Sequence, residues 1–148
     1  MIRILSRIAA ATLLSFTAVA AHAVDNPTSL AGATVVTPEQ ARDLQSKGAV
    51  VIDARSAAEY AEGHIDGAIN VPYKEKSEKK PDFDSSADSV DLAKLPGDKA
   101  KPIVTYCNGH DCWKSYKLSI AAMKAGHTKV NWLRDGLPGW KAKGLPVK

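Results

Sequence analysis

The run Ala49-Val50-Val51-Ile52, bounded by Gly48 and Asp53, most constrains what this chain can fold into. Successive apolar residues leave no polar face for water, so the strand they predict is buried on both sides. Ile103-Val104-Thr105-Tyr106 is a second short apolar run, and Lys129 to Leu133 reads as a last strand. Ala68 to Pro72 is a further short extended piece. Helical segments separate these strands. Thr37-Pro38-Glu39-Gln40 starts one, with Thr37 as N-cap, Pro38 at the first helical position and Gln40 completing a capping box. Ala41 and Leu44 supply its apolar face, and Gly48 ends it. Ser56 caps a shorter helix, Ala57 to Glu62, which stops at Gly63. A long helical stretch runs to about Ala125, and Gly136 to Ala142 closes the chain. Apolar strands alternating with helices predict an α/β domain whose parallel sheet is covered on both faces.

Composition narrows the setting. Arg3 and Arg7 form a basic n-region, Ile8 to Ala20 is apolar, and Ala21-His22-Ala23 is a small-x-small site. This predicts a signal peptide over 1–23, cleaved after Ala23. The alternative, a membrane anchor, needs an apolar stretch of roughly 20 residues. Export is therefore expected, with the periplasm as destination and no stable membrane insertion after cleavage. The mature chain has the size of one domain: residues 24–36 are read as an extension and 37–148 as the domain. Removing Arg3 and Arg7 takes the net charge from +4 to +2. No basic stripe interleaved with aromatics is present, so nucleic acid is not an expected partner. Lys74 to Gly97, rich in charged residues and Ser, is expected as an exposed connection with a helical turn or two near Val90 to Leu95. Its Lys74-to-Lys80 charge run is either a docking patch or a solvated loop.

The chemistry concentrates at Cys107. This thiol ends an apolar strand and opens the loop Cys107-Asn108-Gly109-His110-Asp111-Cys112-Trp113-Lys114-Ser115, which feeds a helix. Loop amides and the positive end of a helix dipole favour thiolate over thiol and offer donors to an anionic substrate. A cysteine enzyme acting on small anions is the reading this suggests.

Val51-Ile52-Asp53-Ala54-Arg55, then Glu59-Tyr60 and Gly63-His64-Ile65-Asp66-Gly67-Ala68-Ile69-Asn70-Val71-Pro72, closely resemble the N-terminal signature of rhodanese-like domains. Pro102 to Cys107 is similar to the strand leading to the rhodanese nucleophile. Gly126-His127, Val130 and the segment Leu133-Arg134-Asp135-Gly136-Leu137-Pro138-Gly139-Trp140 are similar to the family's closing segment. The resemblance covers roughly Thr37 to Pro146. It implies one rhodanese-like domain with a five-stranded parallel sheet and flanking helices, acting as a sulfurtransferase without a cofactor. Cys107 would be the nucleophile, attacking the outer sulfur of thiosulfate or a similar donor to give a persulfide. The sulfur would pass to a thiol or another acceptor, including an acceptor protein. By the same resemblance, Asn108, Gly109, His110, Asp111 and Trp113 cradle the substrate, with Lys114 and Ser115 beside them.

The loop departs from the family pattern. A simple rhodanese loop places an arginine five positions after the cysteine, where this chain has Cys112. The nearest downstream cation is Lys114, so Lys114-Ser115 takes the place of an Arg-Ser or Arg-Ala pair in a longer loop. Lysine is a point cation without the planar fork of arginine, which also disfavours a related phosphatase. The Cys-Trp-Lys-Ser run is similar to that of a secreted rhodanese-like subgroup with a Cys-Trp motif. Cys112 admits three readings: a structural disulfide partner, a resolving thiol for a Cys107 persulfide, or a metal ligand with Cys107 and His110.

Other residues carry paired readings. Asp53 and Arg55 either bond the active loop or form a structural ion pair. His64 and His127 read as packing residues, Trp132 and Trp140 as core. His110 either tunes the thiolate or is simply exposed, and Trp113 either walls the pocket or packs in the core. Arg134 is expected at the surface. Besides the sulfurtransferase, two alternatives stand: a thiol–disulfide redox protein or sensor using Cys107 and Cys112, and a noncatalytic metal- or partner-binding module.

Overall fold

Val51 and Ile52 show why the sheet needs unbroken apolar runs. In the computed structural model, which describes residues 24–148, both lie in β2 (Val50–Asp53) and both are buried. Successive strand residues face opposite sides of a sheet. Val51 packs with Ala41, Leu137 and Trp140 on one face, and Ile52 packs with Leu118 and Ala122 on the other. The expected leader, residues 1–23, lies outside the described residues.

Five parallel strands form one sheet. β1 (Ala33–Val35), β2, β3 (Ile69–Asn70), β4 (Ile103–Tyr106) and β5 (Val130–Leu133) stand in the order β1-β5-β4-β2-β3. Four correspond to the runs read from sequence. The fifth, β1, comes from the segment read as an extension. Its three residues are mostly exposed at the sheet edge, so no apolar run marks them. Helices α1 (Pro38–Ser46) and α4 (Gly136–Ala142) cover one face, and α3 (Lys114–Lys124) covers the other. The expected capping box of Thr37 with Gln40 is present on α1, and Ser56 caps α2 (Ala57–Glu62) as expected, there completing a second box with Glu59. No helix among the described residues is long and apolar enough to cross a membrane.

The connection after β3 is exposed, yet it is anchored. Its two 3-10 turns are Ser85–Ala87 and Leu92–Lys94, the second where a turn was expected. Asp88 accepts hydrogen bonds from the Lys76 and Ser77 amides (both 2.7 Å), the Ser77 hydroxyl (2.6 Å) and the Tyr73 hydroxyl (2.8 Å). Lys117 of α3, fully buried, donates to Ser77 Oγ at 2.7 Å and to the Glu78 carbonyl at 3.0 Å, and pairs with Glu75 at 2.8 Å. The Lys74-to-Lys80 run is therefore held to the domain by buried charge, which a purely solvated loop would lack.

Candidate functional site

Strand order places the site. The chain leaves β2 toward β3 at one edge and leaves β4 toward β5 in the opposite direction. Ligands of open parallel sheets bind beyond the carboxyl ends of strands at such a switch point. Cys107 is the residue after β4 and therefore stands there, 1% exposed. Its carbonyl accepts from the Leu137 amide of α4 at 2.9 Å.

Two glycines allow the loop its path. Gly109 has φ +110°, a conformation that strains other residues. Gly136 has φ +61°, and a Cβ there would collide with the Cys107 carbonyl and the Gly109 amide nitrogen. The Cys112 amide closes a turn onto the Gly109 carbonyl at 3.1 Å. Among the described residues, the amides of Asn108, Gly109, His110, Asp111 and Trp113 donate to no protein acceptor. Helix α3 then begins without a side-chain cap, so its first-turn amides are also open. Unclaimed amide donors beside a helix N-terminus suit an anion, and surroundings of that kind favour thiolate over thiol.

Cys107 and Cys112 are joined in a disulfide, with Cα atoms 6.1 Å apart. Cys107 is buried and Cys112 half-buried. No group of three His, Cys, Asp or Glu side chains among the described residues is arranged to hold a metal ion.

The other site residues fall into distinct places. Asn108, Gly109, His110 and Asp111 line one cavity of about 530 Å³ together with Asp25 and Asp135. Asn108 Nδ2 donates to Glu59 Oε1 at 2.6 Å, and His110 Nε2 lies 2.8 Å from Asp135 Oδ1. Lys114 lines a second cavity, of about 340 Å³, with Ser56, Tyr73 and Lys74. Trp113 is a correction to the cradle: its ring is 2% exposed and packs edge-on against Tyr116, and its Nε1 donates to the Val24 carbonyl. Ser115 is a second correction. Its buried hydroxyl accepts from Trp132 Nε1 at 3.0 Å, which fixes α3 to β5. Asp53 and Arg55 form the structural ion pair, at 2.6 Å, and Arg55 also donates to the Gly63 carbonyl at 2.7 Å. Neither bonds the loop.

Sequence reasoning missed two residues that do, Glu59 and Asn26, and a third, Arg134, that holds Asn26. Glu59 was seen only as a family position. Here burial pushes its carboxyl upward, but hydrogen bonds from Ser56, then Asn108 and the Lys114 charge, outweigh that and hold its pKa at about 2. Arg134, expected at the surface, is half-buried and donates to Asn26 Oδ1 (2.9 Å), the Asn26 carbonyl (2.8 Å) and the Pro27 carbonyl (2.8 Å). Asn26, buried, donates its own amide to the loop at His110. No spacing rule connects residues so far apart in sequence.

The sequence model described as Rhodanese-like domain matches residues 37–143. This chain belongs to the rhodanese-like domain family. The rhodanese-like domain is 31% identical over 112 residues to thiosulfate sulfurtransferase 16, chloroplastic, of Arabidopsis thaliana, covering 73% of this chain and 87% of that protein. It is 35% identical over 109 residues to an HTH-type transcriptional regulator of Mycobacterium tuberculosis, covering 74% of this chain but only 42% of the regulator. Among solved structures, the BH2092 protein of Bacillus halodurans superposes with a TM-score of 0.58 at 25% identity, covering 78% of this chain and 77% of the other. The relatives support sulfur transfer at the level of the family. The five-stranded parallel sheet with helices on both faces is the fold this rhodanese-like domain shares with its structural neighbours.

Proposed function

We propose that this protein is an exported sulfurtransferase that carries sulfur as a Cys107 persulfide. The observation that carries the reading is the set of unclaimed amides around Cys107 at the end of β4. The reaction needs three things of the protein: a stabilised thiolate, donors for an anion, and a cation near the donor's path. No general base is required once the thiol is ionised. Cys107 thiolate attacks the outer sulfur of thiosulfate or a similar donor. A Cys107 Sγ–S bond forms, the donor S–S bond breaks, and sulfite leaves with the electron pair when thiosulfate is the donor. An acceptor thiolate then takes the outer sulfur and returns Cys107 as thiolate. Lys114 and Lys74 border one cavity together with Glu75, whereas the loop residues Asn108, Gly109 and His110 border the other, with Asp25, Asp111 and Asp135.

Cys112 is the resolving thiol in this scheme. Its thiolate attacks Cys107 Sγ of the persulfide, forming the Cys107–Cys112 disulfide and expelling hydrosulfide. Two electrons from an external thiol or dithiol then reset the pair. A compartment outside the cytoplasm, which the signal-like residues 1–23 support, permits such a disulfide to persist. The same bond favours a second reading, a thiol–disulfide redox protein that moves electrons and no sulfur.

Intact mass of the reduced protein, before and after thiosulfate, separates the two. With Cys112→Ser, a dithiothreitol-reversible gain of one sulfur mapping to Cys107 is expected, and Cys107→Ser abolishes loading. Cys112→Ser accumulates the persulfide, since hydrosulfide release through the disulfide is blocked. Equal loading of the Cys107 variant would overturn the nucleophile. Loss of two hydrogens by the parent without release of hydrosulfide, with no sulfur gained by Cys112→Ser, would support the redox reading instead.

A further inference from the structure

Asn26 is 2% exposed in a segment that precedes the matched family region, yet among the described residues outside the Cys107 loop it makes the most hydrogen bonds to it. Its amide donates to the His110 carbonyl at 2.7 Å. Its side-chain Nδ2 donates to the Cys112 carbonyl at 2.9 Å and to the Gly109 carbonyl at 3.4 Å. Its Oδ1 and carbonyl are in turn held by Arg134, at 2.9 and 2.8 Å. Every hydrogen-bonding group of this asparagine is therefore committed.

The consequence follows from peptide geometry. In a planar trans peptide the C=O and the N–H of the next residue point in opposite directions. A carbonyl drawn toward Asn26 turns the following amide away from it. The three carbonyls of Gly109, His110 and Cys112 are so drawn, which turns the amides of His110, Asp111 and Trp113 to the other side. Those three amides are among the ones that no described protein group accepts. One buried side chain and one backbone amide thus set the direction of three donors.

We propose that Asn26 is a positioning residue of the active loop, keeping its amides aimed at the reacting sulfur and the bound anion. The segment Val24–Pro27 is then part of the site, tied to it also by the 2.7 Å bond from Trp113 Nε1 to the Val24 carbonyl. This inference rests on Cys107 as the reacting residue. Its direct consequence is thiolate stability, which is measurable without any sulfur donor.

The test is the pH dependence of Cys107 alkylation by iodoacetamide in the reduced protein, with Cys112→Ser throughout so that one thiol reacts. Asn26→Ala is expected to slow alkylation at neutral pH by about tenfold or more and to move the profile to higher pH. Thermal melting and alkylation of urea-unfolded protein serve as controls, because a merely structural role would not move the profile of a folded variant. Asn26→Asp keeps the shape and still accepts from Arg134, but it sets a carboxylate against two carbonyl oxygens, so the same shift is expected. A folded variant of either kind with an unchanged profile would overturn the proposal. Failure of both to fold would make Asn26 a residue of the fold and overturn the specific role. If the variants shift while the parent never loads sulfur, the positioning stands and the sulfurtransferase reading falls.

Discussion

Tyr106 shows how single residues transmit the fold to the site. Its hydroxyl donates to Asp53 Oδ2 at 2.6 Å and accepts the Ile65 amide at 3.1 Å. Burial, with Asp53 adding to it, pushes this phenol above its ordinary pKa, so it remains a donor. Asp53 receives both sides of the Arg55 fork, Nε at 3.0 Å and Nη2 at 2.6 Å. The pair is almost wholly buried. Removing one partner of a buried pair strands the other charge, at a cost of about 3–5 kcal/mol. Asp53→Ala is accordingly expected to lose stability on that scale in urea denaturation. A loss no greater than that of ordinary surface substitutions would show that Arg55 finds compensation elsewhere. The disulfide is a smaller contributor: closing so short a loop constrains the unfolded chain by roughly 2 kcal/mol. Its importance is chemical, since it takes up the Cys107 thiol that the proposed reaction needs.

At the scale of elements, the loop after β4 is set by the start of α4 as much as by its own sequence. The Leu137 amide bonds the Cys107 carbonyl, and Gly136 permits that approach because it has no Cβ. Gly136→Ala is expected to displace the loop. The positive φ adds strain, while the clash acts on the Cys107 and Gly109 backbone. Sulfur loading should fall by more than tenfold, a larger loss than the thermal destabilisation alone would produce. Equal loading would mean that the loop accommodates a methyl group. On the opposite side, Thr105 and Ser119 hydroxyls meet at 2.6 Å and Ser119 Oγ donates to the Ser115 carbonyl at 2.8 Å. These bonds seat α3 on the sheet and fix the direction of the N-terminus it presents to the loop.

For the whole molecule, two carboxylates link the periphery to pH. Burial raises Asp88, but the hydrogen bonds from Ser77, Lys76 and Tyr73 dominate and lower it from 3.8 to about 2. Glu59 is lowered from 4.5 to about 2. A depressed carboxyl contributes stability that is present above its unfolded pKa and is lost as pH falls through its folded pKa. Stability is therefore expected to decline between about pH 4.5 and about pH 2. Asp88→Asn should flatten part of that slope in an acid titration followed by circular dichroism, while leaving the neutral-pH fold intact. An unchanged slope would show that the anchor of the 74–89 segment does not report on folding.

The sequence by itself determined the strands at β2, β4 and β5, the capping box of α1, the cap of α2 and the place of Cys107 at a strand end. These are written in patterns a few residues long: unbroken apolar runs, a capping residue with its partner three positions on, a cysteine at a strand end. Tertiary structure alone decided which loop neighbours serve the site. Trp113 and Ser115 adjoin the loop in sequence, but the turn into α3 carries both side chains inward, to Tyr116 and Trp132. Glu59 and Asn26 stand 49 and 83 residues from the loop positions they bond. Strand β1 gains its place only by pairing with β5. Local patterning records how a segment meets water and its own backbone. A hydrogen bond to a distant carbonyl leaves no periodic trace, because only the assembled fold brings donor and acceptor together.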